Sequence, residues 1–571
     1  MLRTAIVIVF SFLTHPHLWA QYASPALPIV DVGEYAITHR IYVSPLGVDD
    51  ASGTEGNPKR TLRAALDALP WPASGALYAE IVMASGTYRT GLVVSESDRK
   101  RGNLSRNISI RGVGNVIIDA FAMPLTGTQG ALTVGGSHIR VQNVRIRSST
   151  VCGVTVAEGS EHVVLDNITV DTCISHGLYV NLSNTVLVQN CTVTEACRYK
   201  IADKNRSWGS CIKLLYSADC TVRGCTVADG WGEGINVNRT TNVVLENNTV
   251  SNTYAGGVYI DMGAKVVVRS NLLYFDPADT THRRFSIPAA GISLSNELHC
   301  GFNATCPNAI WTGTENCTYR CTGIGCEYTV PMNDSIEIYN NIVLNAGNGF
   351  EMFELFNGDC FRNIRIEFNT YAGSTGERNG SALTLLLDML LREVRNIVIR
   401  GNLFLIDDRG QADLMGACRF ADNVLTPIRA EIRTSENVWN TTPTCGLEHP
   451  SDTILPYRFT GVGPNQLSII DPQATPGMRV HMASSRNITS DFYGRRRWNT
   501  TTAGAIDGAD PTGVDAEVVP LAPYTEWIAY DMLGREISRG DSGNTDYKMI
   551  RGCFVMVYRG HGKHQSILRY Q

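Results

Sequence analysis

His176, Tyr179, Lys213, Glu233, Asn236, Tyr259 and Asp261 stand at a few fixed offsets around a glycine that returns every 23 residues or so, and they form the densest set of side chains able to do chemistry. The mixture suits a sugar. Tyrosine faces offer stacking area, and asparagine pairs a donor with an acceptor for hydroxyls. A lysine neutralises a uronate carboxylate, or takes a proton if its pKa is lowered. Tyr179 and Asn236 are therefore candidate substrate-binding residues. Arg198 and Lys200, in the basic stretch CRYKIADKNRSW with Lys204 and Arg206, read either as a groove wall for an anionic glycan or as a solvated loop. Hydrolysis would instead need two carboxylates about 5–10 Å apart. Glu233, Asp229 and Asp261 are the available set, with Asp229 in ADGWGEG reading first as a turn cap.

What positions these residues is a repeated sentence of glycine-led strand, turn and β-branched strands. Its clearest copies are GVTVAEGSEHVVLDNITV from Gly153, GLYVNLSNTVLVQNCTV from Gly177, GINVNRTTNVVLENNTV from Gly234 and GVYIDMGAKVVVRSNLLY from Gly257. Such self-similarity with period-2 strands predicts a parallel β-helix over about residues 130–405, in which coils stack about 4.8 Å apart and bury a shared core. Alternation sends Val154, Val156, Leu178, Val180, Ile212, Leu214, Ile235, Val237, Val258 and Ile260 inward. Between them an outer ladder reads Thr155, Tyr179, Lys213, Asn236, Tyr259, Ser293, Glu351, Thr384, and the next reads Ala157, Asn181, Leu215, Asn238, Asp261, Ser295. His176, Ser210 and Glu233 precede the glycine position. Any solvated sheet face would show a similar ladder of polar side chains. Asn143, Asn167, Asn190, Asn248, Asn271, Asn341, Asn369 and Asn402 recur at one place in the coil, which predicts an inward scaffold stack. Cys191 and Cys225 share an offset in consecutive coils and should be bonded or in contact.

Residues 41–120, YVSPLGVDDASGTEGNPKRTLRAALDALP with IVMASGTY and ISIRGVGNVIID, resemble the opening of secreted right-handed β-helix proteins of the polysaccharide-lyase type. The resemblance implies an all-β, right-handed parallel β-helix solenoid with an N-terminal capping helix, which Leu62, Ala65, Leu66 and Leu69 would supply behind Thr61. It also implies a Lys, Arg, His or Tyr that removes the proton α to a uronate carboxylate. Lys213, Tyr259 and His176 are the catalytic candidates on that basis, with Ca²⁺ held by Glu233 and Asp261 as the possible cofactor. No lyase active-site motif is matched. The segment DFYGRRRWNTTTAGAIDGA (491–509) resembles a tail that closes such domains, and the stretch from WIAYDMLGREISRG to MIRGCFVMVYRGHGKHQSILRY resembles the small C-terminal β-sandwich that sorts proteins through the type IX secretion route.

The expected organisation is a signal peptide at 1–20, cap and first coils at 21–120, β-helix at 121–510, and a small C-terminal β domain at 511–571. Insertions interrupt the coils at 197–208, 276–289, 297–333 and 406–415. Cys300, Cys306, Cys317, Cys321 and Cys326 lie in the third and read as a disulfide knot, or less readily as a zinc site. Fifteen N-x-S/T sequons against about five expected by chance, with sixteen cysteines, point to a secreted or surface glycoprotein. A net charge of −5 and a pI near 6.2 argue against a nucleic-acid partner, and no later apolar run is long enough to span a membrane. A monomer acting on or binding polysaccharide is expected. The rival readings are a non-catalytic adhesion protein that holds glycan and a glycoside hydrolase.

Overall fold

The computed structural model describes residues 36–202, 209–284 and 287–297 continuously, residues 309–506 with interruptions, and four strands within 526–570. The 1–20 segment, Lys204, Arg206, Cys300, Cys306, Cys317 and most of 406–415 lie outside the described residues.

Coils stack as the period requires. One face is a sheet of eleven parallel strands running from Leu92–Val94 to Cys418–Phe420, and it contains the glycine-led strands Leu178–Asn181, Ser210–Leu215, Glu233–Asn238 and Gly256–Asp261. A second sheet of 25 strands supplies the other sides of the coil, beginning at His39–Val43 and continuing to Thr453–Ile454. The solenoid thus extends past both ends of the 130–405 stretch read from the repeats. The inward residues, Val154, Leu178, Ile212, Ile235, Val258 and Ile292 among them, form one continuous core. A Cβ added at Gly234 would lie 2.3 Å from the Gly257 carbonyl oxygen, and one at Gly177 would lie 2.6 Å from the Cys211 carbonyl oxygen. Glycine leads these strands because the next coil's backbone takes up that space.

The capping helix is Leu62–Ala68. Thr61 Oγ1 accepts from the Ala64 N–H, and Leu62, Ala65 and Leu66 enter the core of the first coils. At the far end, described residues between 488 and 506 pack against the last coils. The Arg497 guanidinium donates to Asn340 Oδ1 at 2.9 Å and to the Gly504 carbonyl at 2.7 Å and lies over the Phe368 ring, while Ile488, Ala503, Ala505 and Ile506 join a second apolar cluster with Leu344 and Leu403. Within the 297–333 insertion, Ala309–Trp311, Thr318–Gly323 and Cys326–Pro331 pair antiparallel. Residues 509–571 are a separate unit whose strands Glu526–Asp531, Glu536–Asp541, Cys553–Gly560 and Lys563–Tyr570 make one antiparallel sheet. Among the described residues no helix is long and apolar enough to cross a membrane.

The recurring asparagines divide into two adjacent columns, which corrects the single inward stack expected. Asn143, Asn167 and Asn190 take positive φ at the coil corner and keep their amides at the surface, as when Asn167 Nδ2 donates to Asn143 Oδ1. One residue later along the chain, Asn248, Asn271, Asn341, Asn369, Asn402 and the unanticipated Asn437 turn inward. From Asn248 to Asn402 each Nδ2 donates to the next Oδ1 at 2.9–3.1 Å, Asn437 Nδ2 donates to the Ile399 carbonyl, and each Oδ1 also accepts a backbone N–H of the preceding coil. In earlier coils Cys191 and Cys225 hold this inward place, with thiols in mutual contact and free, as are the thiols of Cys152, Cys173, Cys197, Cys211 and Cys220. Cys360 is disulfide-bonded.

Asn341 bridges two neighbours with both ends of its amide, so Asn341→Ala strands the Asn271 N–H and one Asn369 acceptor inside the core. The expected loss is about 3 kcal/mol or more in denaturant unfolding, against about 1 kcal/mol for Asn167→Ala at the corner. Equal losses would contradict the division into two columns.

Candidate functional site

The stacking register is as the sequence predicts: Thr155, Tyr179, Lys213, Asn236, Tyr259, Ser293, Glu351 and Thr384 are paired coil to coil in one column, and Asn181, Leu215, Asn238, Asp261 and Ser295 in the next. These columns do face away from the core, yet they are not a solvated surface. Tyr179 is 2% exposed, Asn236 0%, Tyr259 8% and Asp261 1%, so the ladder is a buried polar layer. Lys213, Asn181, His176, Glu297 and Glu351 are half-buried and more open.

Three residues at the start of the strands form a chain. His176 Nδ1 accepts the Ser210 backbone N–H at 3.1 Å, which places the proton of the neutral ring on Nε2. Its ring stacks on Tyr179 with centroids 4.8 Å apart. Ser210 Oγ donates to Glu233 Oε2 at 2.6 Å. Burial, with the Lys213 charge second, holds the His176 pKa down to about 3, so the ring is neutral at physiological pH. Burial pushes the Glu233 carboxyl up to about 7, against the pull of Lys213 and the Ser210 hydrogen bond.

A second group surrounds Glu297, which the sequence reading passed over because it falls just beyond the last strand of its coil. Tyr259 Oη donates to Glu297 Oε1 at 2.7 Å, the Glu297 N–H donates to Asp261 Oδ1 at 2.7 Å, and Arg239 donates to the Glu297 carbonyl at 2.6 Å. Asn238 Nδ2 donates to Asp261 Oδ2 at 2.7 Å, and Arg239 lies 3.7 Å from the same carboxylate. Burial raises Asp261 to about 7, with Arg239 opposing. Burial, then the Asp261 and Glu297 charges, keeps the Tyr259 hydroxyl protonated far above its usual range. Tyr259 is thus placed as a hydrogen-bond donor and poorly suited to be a base.

Between the two groups lies Lys213. Its ammonium makes no hydrogen bond or ion pair among the described residues, while its charge acts on His176, Glu233 and Asp261. The substrate-binding candidates of the basic stretch part company. Arg198 is half-buried with Glu195 at 3.8 Å, whereas Lys200, on the short helix Tyr199–Ala202, is 1% exposed and is no part of a surface wall. Asp229 takes positive φ and accepts from Asn252 Nδ2 at 3.0 Å, a turn role.

Glu233 and Asp261 do not fit a calcium site. Both Asp261 oxygens already accept hydrogen bonds, a guanidinium stands beside them, and Glu233 is bonded to a hydroxyl on a different strand. Among the described residues no group of three or more His, Cys, Asp or Glu is placed to hold a metal ion.

Residues 129–297 match the family model of the right handed beta helix region. No curated protein sequence matches the chain significantly. Among solved structures, the chain is similar to XylC in complex with xylose at 8% identity and TM-score 0.49, covering 82% of this chain and 98% of that one. It is similar to the pectate lyase Pel9A at 13% and 0.41, covering 83% and 97%. The lacto-N-biosidase of Eubacterium ramulus stands at 11% and 0.41, covering 74% and 68%. These likenesses assign no reaction.

The raised carboxyls fix a pH dependence. From about pH 4 to about pH 7 the native state keeps protons on Glu233 and Asp261 that the unfolded chain has lost, so their share of the stability is greatest below that window, falls as pH rises through it and levels off above. The depressed His176 acts oppositely between about pH 3 and 6.5. Glu233→Gln isolates one contribution. Its Tm should gain on wild type as the pH is raised from about 4 to about 8, and a pH-independent difference would show that Glu233 titrates normally.

Proposed function

We propose that the protein is an extracellular β-helix that binds an acidic polysaccharide along the Gly-led strands and cleaves it by β-elimination. Lys213 carries the reading: a half-buried cation without a partner among the described residues, set between buried acids, is the natural counter-charge for a uronate carboxylate. Withdrawing that carboxylate's charge acidifies the α carbon. Glu233, pushed up to about 7, is partly ionised at neutral pH and strong enough as a base to take the proton. The electron pair forms the new double bond as the glycosidic C–O bond breaks, and the departing oxygen takes a proton from water. His176 fixes Ser210, which holds the Glu233 carboxyl, and Tyr179 lies beneath the imidazole. Tyr259 and Glu297 act as a donor–acceptor pair for hydroxyls further along the ladder.

Hydrolysis through Glu233 and Asp261 is the weaker reading. Glu233 is level with Gly256, so Asp261 lies five residues farther along the strand direction, about 17 Å at the usual rise and outside the range for a hydrolytic pair. The fifteen sequons and the leader-like N-terminus support export, with Asn238 buried against Asp261 and unfit to carry a glycan in the folded chain.

Purified protein incubated with a panel of uronate polysaccharides should release unsaturated products that absorb in the near ultraviolet. Lys213→Ala should lower kcat/KM by tenfold or more, about 1.4 kcal/mol. New reducing ends without absorbance would point to hydrolysis, and binding without any product would leave an adhesion protein.

A further inference from the structure

Asn236 differs from every asparagine of the inward ladder. It is 0% exposed, and among the described residues neither its Nδ2 nor its Oδ1 has a hydrogen-bond partner. Asn248, Asn271, Asn341, Asn369, Asn402 and Asn437, equally buried, are all bonded. An amide packed away from water with nothing to bond is a net cost to the fold, and an apolar residue of similar size would remove it. The neighbours sharpen the anomaly. Asn236 is paired in register with Lys213 on one side and Tyr259 on the other, and Tyr259 is already committed to Glu297. Lys213 is the half-buried side chain of the column that makes no hydrogen bond or ion pair among the described residues.

We infer that Asn236 is kept for a ligand at the expense of stability, and that with Lys213 it reads one uronate unit: Nδ2 and Nζ donate to the sugar carboxylate while Oδ1 accepts from the adjoining hydroxyl. This rests on the acidic-polysaccharide reading above and adds to it the residue that separates a uronate from its neutral counterpart. A neutral hexose presents a hydroxymethyl group where the carboxylate would be, so it leaves the ammonium uncompensated and supplies one acceptor in place of two.

The test sets stability against affinity. Wild type, Asn236→Val and Asn236→Asp are compared by thermal melting and by calorimetric titration with uronate oligosaccharides and their carboxyl-reduced, neutral counterparts. Asn236→Val is expected to melt at or above the wild-type temperature while binding uronates at least tenfold more weakly. Its affinity for the neutral sugars, which keep only the hydroxyl contact, should fall by less, so the preference for uronates shrinks. Asn236→Asp, nearly isosteric but repelling the carboxylate, should bind uronates more weakly still. A Val variant that melts lower and binds normally would show that Asn236 serves the fold, and the inference falls while the acidic-polysaccharide reading stands. Wild type that binds no uronate would overturn both.

Discussion

Each coil of this protein is held to the next by backbone hydrogen bonds between parallel strands in unshifted register, and that register decides where every side chain goes. A slip of one residue would carry Lys213, Asn236 and Tyr259 into the core and Ile212, Ile235 and Val258 out of it. The site is therefore specified by the same pattern that specifies the fold. Valine and isoleucine on one side of each strand pin the residues on the other, so a column of chemically active side chains can be changed one at a time without disturbing the packing that presents it.

Two polar columns run through the molecule, and their energetics differ. The inward asparagines form a closed account: each amide gives to a carbonyl and to the next amide, so burial is offset at every step. In the outer ladder the balance is left open. Among the described residues Asn236 and Lys213 have no partner, and Glu233 and Asp261 are pushed toward neutrality by burial. A solenoid of this length can carry such a deficit because its core is continuous over many coils, and the deficit concentrates in the coils from Tyr179 to Glu297.

Much of this was legible in the residues. The glycine-led period gave the coils, alternation gave the inward set, and Thr61 with Leu62, Ala65 and Leu66 gave the capping helix. Three things were not. Whether an asparagine turns inward or stays at the corner depends on which of two adjacent residues takes positive φ, and in NNT at 247–249 the sequence does not say which. The burial of the ladder depends on what lies over the sheet, which strand alternation does not encode. Glu297 and Arg239 stand at strand ends, outside the repeated positions, and their signal was at most a charge beside a turn.

Glu297 shows why such a residue matters. Its backbone N–H is fixed by Asp261, its carbonyl by Arg239 and its carboxylate by Tyr259, so it is clamped by two earlier coils although its own lies at the edge of an insertion. Arg239 takes φ +50° at a corner where Leu182, Tyr216 and Met262 of the neighbouring coils do the same. The guanidinium donates to the Glu297 carbonyl and at the same time faces Asp261. Contacts from two earlier coils thereby fix the position of Glu297 at the start of the insertion.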